Sequence, residues 1–187
     1  LADRPVQEKP TFRFEPLGNK KDKKKHDRAA FSCEQESLDR YLKEHATQEI
    51  KKRVAAVYVL TPDGKTIAGY YTLSQYAIEA DELPPELVQQ LHLPRYDKLS
   101  ATLLGRLARS KQFKGRGLGE LLVMGALKRA LEHSRNIASV AVVVDAIDEN
   151  ARAFYRRYGF IDIPNHPNRL FMPMKTVAQM FPDVGTK

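Results

Sequence analysis

The sequence predicts a single α/β (α+β) domain in which a mixed sheet carries helices on both faces. Strand-like and helical segments alternate along the chain instead of falling into separate blocks. Residues 138–146, ASVAVVVDA, form a continuous valine-rich run of the kind buried on both faces of a sheet. Residues 103–131 read as an apolar strand, a basic glycine-rich loop and a long helix.

A chain of 187 residues is one domain of ordinary size, and 42% hydrophobic with 29% charged residues excludes a disordered chain. A net charge of +8 favours polyanionic partners, nucleic acid first, although a soluble basic surface explains the charge as well. Cys33 is the only cysteine, which excludes an intrachain disulfide and a cysteine-rich zinc site and leaves Cys33 as a small buried residue. The five histidines have no metal-ligand spacing, so no metal is expected. The longest apolar run, around residue 140, is too short to span a bilayer, and a cytoplasmic setting without membrane contact is the expectation.

In order, residues 1–10 are expected to be a flexible segment, residues 11–175 the domain, and residues 176–187 a tail. Residues 11–15 alternate as a first strand should. The run from Gly18 to Arg28 holds Lys20, Lys21, Lys23, Lys24, Lys25 and Arg28 against two acidic residues, half of the net charge. It reads equally as a solvated loop and as an RNA-backbone contact. Residues 32–53 are helical, with Ser37 as a cap for the face of Leu38, Tyr41, Leu42 and His45. Lys51, Lys52 and Arg53 suit the negative end of that helix and enlarge the basic surface. Residues 54–61 and 66–80 form a hairpin around the turn Pro62-Asp63-Gly64-Lys65. A short helix over 83–93 opens at Pro84-Pro85 and stops at Pro94. A strand over 100–108 leads to a helix over 117–133. The strand over 138–146 leads to a helix that starts at Asp148 and ends at Gly159. Residues 160–163 and 170–174 are the last strands.

The glycine loop, Gln112-Phe113-Lys114-Gly115-Arg116-Gly117-Leu118-Gly119, spaces three glycines at alternate positions before a helix. Glycine permits positive φ, and the helix start offers unpaired N–H groups and a positive dipole end, so the unit is an anion cradle. No G-x-x-x-x-G-K-[S/T] string exists, which removes a nucleoside-triphosphate loop. A dinucleotide fold needs G-x-G-x-x-G with an acidic residue about 20 further on. Here the glycines run G-x-G-x-G, and Asp145 lies 26 residues past the last of them.

Gln112-x-x-Gly115-x-Gly117 between a strand and a helix resembles the acetyl-CoA signature of the GNAT-family N-acetyltransferases. The string from Asn150 to Phe160, NARAFYRRYGF, looks like the same family's second signature. The resemblance covers about residues 54–174 and implies a mostly antiparallel sheet with a splayed V between its two central strands. Within the family the chain is most similar to the tRNA-acetylating toxins of toxin–antitoxin pairs. That likeness rests on Phe31-x-Cys33, Leu38-Asp39-x-Tyr41-Leu42, Gly69-Tyr70-Tyr71-Thr72-Leu73-Ser74, Leu93-Pro94-Arg95-Tyr96 and Leu104-Gly105-Arg106-Leu107-Ala108.

The resemblance implies acetyl-CoA as acetyl donor. Leu107, Ala108 and Arg109 would meet its pantetheine arm through their backbone, and an N–H near Leu107 or Ala108 would polarise the thioester carbonyl. Arg109 departs from the small apolar residue usual in these toxins. Backbone N–H groups from Lys114 through Gly115, Arg116, Gly117 and Leu118 to Gly119 would hold the pyrophosphate. Lys114 and Arg116 would add charge, Gln112 opens the signature, and Asn150 and Phe154 complete the cofactor set. Tyr155 would deliver a proton to the departing thiolate, since a thiol near pKa 8.5 and a phenol near 10 are close enough for transfer. Tyr155 equally fits a helical core face with Ala151, Phe154 and Tyr158. No carboxylate or histidine in a matched motif offers a general base. An α-amino group near pKa 7.7–8.0 is already partly neutral at cellular pH, unlike a lysine amine near 10.4. Aminoacyl-tRNA is therefore the expected acceptor, with Arg95 and Arg106 joining the basic residues above as RNA contacts. A separately encoded antitoxin of ribbon-helix-helix type and a homodimer are the partners the resemblance implies. Other acceptors (a small amine or a protein N-terminus) and a non-catalytic acetyl-CoA- and RNA-binding module stand as alternatives.

Overall fold

The computed structural model describes residues 11–18, 25–79, 81–164 and 166–185. Strand β1 (Arg13–Pro16) is followed by α1 (Glu36–Arg40), a π-helical turn (Tyr41–His45) and α2 (Ala46–Lys52). Then come β2 (Ala56–Thr61), β3 (Gly69–Glu79), α3 (Pro85–Gln90) and β4 (Lys98–Arg109). A 3₁₀ turn (Lys111–Phe113) leads into α4 (Leu118–Ser134), then β5 (Ala141–Asp145), α5 (Glu149–Arg157), β6 (Ile161–Asp162) and β7 (Arg169–Pro173). Helices α6 (Met174–Met180) and α7 (Pro182–Gly185) close the chain.

Two segments differ from the sequence reading. Ser37 is not a cap: Gln35 occupies the cap position with no side-chain cap bond, and the Cys33 N–H is instead taken by Asp39 Oδ1 at 2.8 Å. The segment that follows is a π-helical turn, and it places the adjacent residues Tyr41 and Leu42 both in the core. The end of the chain, read as a tail, carries two helices, and α6 buries Met174 and Val177 in the same cluster as α4.

The sheet has seven strands in the order β1-β2-β3-β4-β5-β7-β6. Every pairing is antiparallel except β4 with β5, which the crossover helix α4 makes parallel. That parallel pairing covers only Thr102, Leu103 and Leu104 of β4, opposite Val142, Val143 and Val144. Strand β4 runs on to Arg109 against β3 alone, so its edge toward β5 lacks a strand partner beyond Leu104. The gap begins at a bulge. Thr72 pairs with Arg106 and Leu73 with Leu104, leaving Gly105 as the extra residue. A bulge shifts side-chain parity by one. Accordingly Leu99 and Ala101 share one face of β4 before it, and Arg106 and Ala108 occupy that same face after it.

One face of the sheet packs α4, α5 and α6 around Leu73, Leu104, Leu122, Leu127, Val142 and Val144. The opposite face carries two separate clusters. One is Phe31, Tyr41, Leu42 and Tyr70 under the α1–α2 segment; the other is Ile78, Leu83, Leu99, Val143 and Phe171 with α3. Both faces of β5 are covered, as its continuous apolar run requires.

Candidate active site

The gap between β4 and β5 leads directly to the glycine loop. The Ser110 N–H is held by the Ala68 carbonyl at 2.9 Å and the Lys111 N–H by the Ser32 carbonyl at 2.8 Å, which anchors the loop at its start. Two glycines serve conformation: Gly115 and Gly117 have φ of +78° and +72° with open space where a Cβ would stand. Gly119 serves proximity, because a Cβ there would lie 3.2 Å from the Phe154 ring. The Lys114 and Arg116 N–H groups are spent on the Lys111 and Phe113 carbonyls. Backbone amides are therefore left at Gly115, Gly117, Leu118, Gly119 and Glu120, with no backbone acceptor among the described residues. The expectation of a continuous donor run from 114 to 119 narrows to these groups. Lys114 and Arg116 contribute through exposed side chains, the first 3.9 Å from Glu34 and the second 5.5 Å from the Phe113 ring centroid. The residues present fit a diphosphate: a concave run of free N–H groups at the positive end of a long helix, beside two cations. Gln112 is exposed at the loop's edge.

Helix α5 leans on this loop. Asp148 caps it by accepting the Ala151 N–H at 2.7 Å, and Asn150 is exposed in its first turn. Phe154 packs edge-on against Tyr155 and Tyr158, with ring centroids 5.3 and 5.0 Å away. Tyr155 is only 7% exposed and meets Phe160 edge-on. Burial alone pushes its phenol well above the ordinary range, so the hydroxyl keeps its proton at every physiological pH. Tyr155 thus belongs to the core and packs edge-on against Phe154, whose ring meets Gly119 at the start of α4.

Leu107 packs on the α4 face, Ala108 is buried on the opposite one, and Arg109 is half-buried with Nη1 donating to the Ser110 carbonyl at 3.1 Å. Arg106, just beyond the bulge, lies 3.6 Å over the Tyr41 ring and 3.7 Å from Glu49 Oε2, which also accepts the Tyr41 hydroxyl at 2.8 Å. Lys51, Lys52 and Arg53 are exposed at the end of α2, within about one helical turn of Glu49, and Arg53 lines a cleft with Tyr58, Ser74 and His133. Arg95 is exposed elsewhere, lining a cleft with Leu83, Val88, Tyr96 and Leu99. Lys25 is exposed and paired with Glu15 at 2.7 Å, whereas Lys20, Lys21, Lys23 and Lys24 lie outside the described residues. Cys33 is half-buried, not fully buried, and its thiol is pushed up to about 11, mainly by burial, which leaves it unreactive.

One constellation has no motif in the sequence. Arg169 at the start of β7 donates to Asp145 at the end of β5, to Glu82 and to the Tyr76 hydroxyl on β3. Its partners are spread over residues 76–145, so no local pattern marks it. Among the described residues no group of three or more His, Cys, Asp or Glu is placed to hold a metal ion, and no helix is long and apolar enough to cross a membrane.

Residues 24–160 match the model of the acetyltransferase (GNAT) family. A tRNA-acetylating toxin of Mycobacterium tuberculosis (strain ATCC 25618 / H37Rv) is 30% identical over 84% of this chain and 92% of its own. The solved structure of AtaT complexed with acetyl-methionyl-tRNAfMet is 29% identical, with a TM-score of 0.79 over 91% of this chain and 99% of that one. A tyrosine-to-phenylalanine mutant of AtaT bound to the C-terminus of the antitoxin AtaR and acetyl-CoA is 25% identical, with a TM-score of 0.76 over 92% and 99%. With the gap, the amide cradle and the family match in agreement, the chain belongs to the GNAT family of acetyl-CoA-dependent acetyltransferases and is closely related to its tRNA-acetylating toxins.

Proposed function

We propose that this acetyltransferase is a toxin that acetylates the α-amino group of aminoacyl-tRNA and thereby blocks translation. The observation that carries the reading is Arg106, which follows the bulge where the gap opens and pairs with Glu49 on α2, the helix that ends in the basic triplet. A polyanion held there presents its end to the thioester site. The likeness to a tRNA-acetylating toxin and to AtaT with its acetylated tRNA supports the same acceptor. An antitoxin encoded separately, of ribbon-helix-helix type, and a homodimer complete the proposal; the AtaT–AtaR complex supports the antitoxin.

Bound acetyl-CoA would supply the acetyl group as an activated thioester. The free amides at Gly115, Gly117, Leu118 and Gly119 would hold its diphosphate, with Lys114 and Arg116 adding charge and Gln112, Asn150 and Phe154 lining the approach. The unpaired edge of β4 at Leu107, Ala108 and Arg109 would bind the pantetheine arm by backbone hydrogen bonds and direct an N–H at the carbonyl. Tyr155 holds a proton on Oη and would give it to the thiolate sulfur. The raised phenol pKa does not oppose this step, because desolvation beside the same apolar residues raises the thiol in the same direction. The neutral fraction of the α-amine forms the C–N bond as the C–S bond breaks, needs no strong base, and sheds its proton to water or back to the Tyr155 phenolate.

The test is incubation of the purified protein with labelled acetyl-CoA and total tRNA. Label is expected on the amino acid of aminoacyl-tRNA, with growth arrest on expression. Label that enters only small amines or peptides favours a metabolic or N-terminal acetyltransferase, and cofactor binding without product favours a non-catalytic module.

A further inference from the structure

We propose that Arg169 is a positioning residue for acetyl transfer, bracing β5 against β7 and so holding open the gap between β4 and β5. The inference rests on reading that gap as the acetyl-CoA site.

Three observations carry it. First, the parallel ladder stops at Leu104 and Val144 although β4 continues to Arg109; the bulge at Gly105 interrupts it on the β4 side, and the end of β5 is drawn away on the other. The next residue of β5 is Asp145, in register with Gly105. Its carboxylate is held by Arg169 from the other side, Oδ1 by Nε at 2.8 Å and Oδ2 by Nη2 at 3.2 Å. The backbone follows the same direction: the Ala146 N–H goes to the Asn168 carbonyl at 2.7 Å, toward β7 and away from β4.

Second, the guanidinium is itself anchored. Its Nη1 donates to Glu82 Oε2 at 3.1 Å and to the Tyr76 hydroxyl, and the Glu82 side chain is 7% exposed. Glu82 is fixed in turn by the Glu79 N–H at 3.0 Å. The brace therefore links β3, β5 and β7 across the face of β4, below the point where the gap opens. Third, the chemistry requires a planar fork. Two parallel bonds to one carboxylate, with a further nitrogen for Glu82 and Tyr76, suit a guanidinium and not an ammonium. The hydrogen bonds to Asp145 come first among the causes that raise the Arg169 pKa, so the fork stays charged.

An Arg169→Met variant would strand the buried Glu82 carboxylate and fold poorly for that reason alone. The informative protein is the double variant Glu82→Gln/Arg169→Met, with Arg169→Lys beside it. Hydrogen exchange at the amides of residues 105–109 is read without ligand, and acetyl-CoA affinity by calorimetry. Loss of a merely structural contact speeds exchange. Loss of this brace is expected to slow it within 105–107, the stretch that residues 145–147 can reach before α5 begins, because the freed end of β5 pairs with β4. Acetyl-CoA affinity should fall at least tenfold in the double variant while Tm stays close to wild type, and Arg169→Lys should fall between. Unchanged or faster exchange at 105–107 overturns the proposal. Slowed exchange with wild-type affinity upholds the brace and removes the gap as the acetyl-CoA site, so the two readings fail separately.

Discussion

Tyr155 combines two properties that conflict on an ordinary surface: it is packed among Phe154, Tyr158 and Phe160, and it carries the proton the proposed reaction needs. Packing fixes the ring and desolvation keeps the hydroxyl neutral. Tyr155→Phe keeps that packing, so acetyl-CoA affinity should stay within about twofold while kcat falls by about 10²–10⁴, the usual range for a positioned acid. Steady-state kinetics beside calorimetry separate the two, and wild-type kcat in the variant removes Tyr155 from the chemistry. Because burial holds the phenol neutral, the rate of the native enzyme should show no alkaline decline below about pH 10, and its rise should follow the acceptor amine near pH 7.7–8.0. The motif around Tyr155 was readable from the sequence; its depth in the core was not, since burial is set by the helices packed over it.

Among the elements, the start of α4 and the body of α5 depend on one another through Gly119 and Phe154. Alanine is the better helix former by about 1 kcal/mol. At position 119, however, its Cβ would press on a ring that is itself locked edge-on against Tyr155 and Tyr158. Gly119→Ala should therefore leave Tm nearly unchanged while displacing Tyr155 and lowering kcat about tenfold. Gly117→Ala meets no neighbour but must hold φ near +72°, so it should cost about 1–2 kcal/mol of stability, read by chemical denaturation. The alternate-glycine pattern was legible, but its division of labour was not: two glycines answer to backbone angle and the third to a ring on another helix. Gly105 carried a signal of its own, since a glycine inside a strand marks a bulge. The register that makes it one exists only once β3 and β4 pair.

In the whole molecule, tyrosines form a titratable core. Burial pushes the Tyr71 phenol up to about 12, and it raises Tyr41, Tyr70 and Tyr155 further. In the unfolded chain these phenols ionise near pH 10, so above that pH the unfolded state binds fewer protons than the native one and stability falls. Below pH 10 both states are protonated and the contribution is fully present. Melting curves should show Tm level from pH 8 to about 9.5, then dropping, with each such tyrosine contributing about 1.4 kcal/mol per pH unit. A Tm that stays level to pH 11 contradicts this account.

What the sequence alone determined is local: the strand–loop–helix cradle, the doubly covered strand around Val143, and the signatures from Gln112 to Gly119 and from Asn150 to Phe160. These depend on periodicity, turn chemistry and spacing, which neighbouring residues carry. Tertiary structure decided where the sheet opens, that Met174 and Val177 belong to the core, and that Arg169 ties Tyr76, Glu82 and Asp145 together. Pairing register and long-range charge contacts join residues far apart in the chain, and no local pattern encodes their distance.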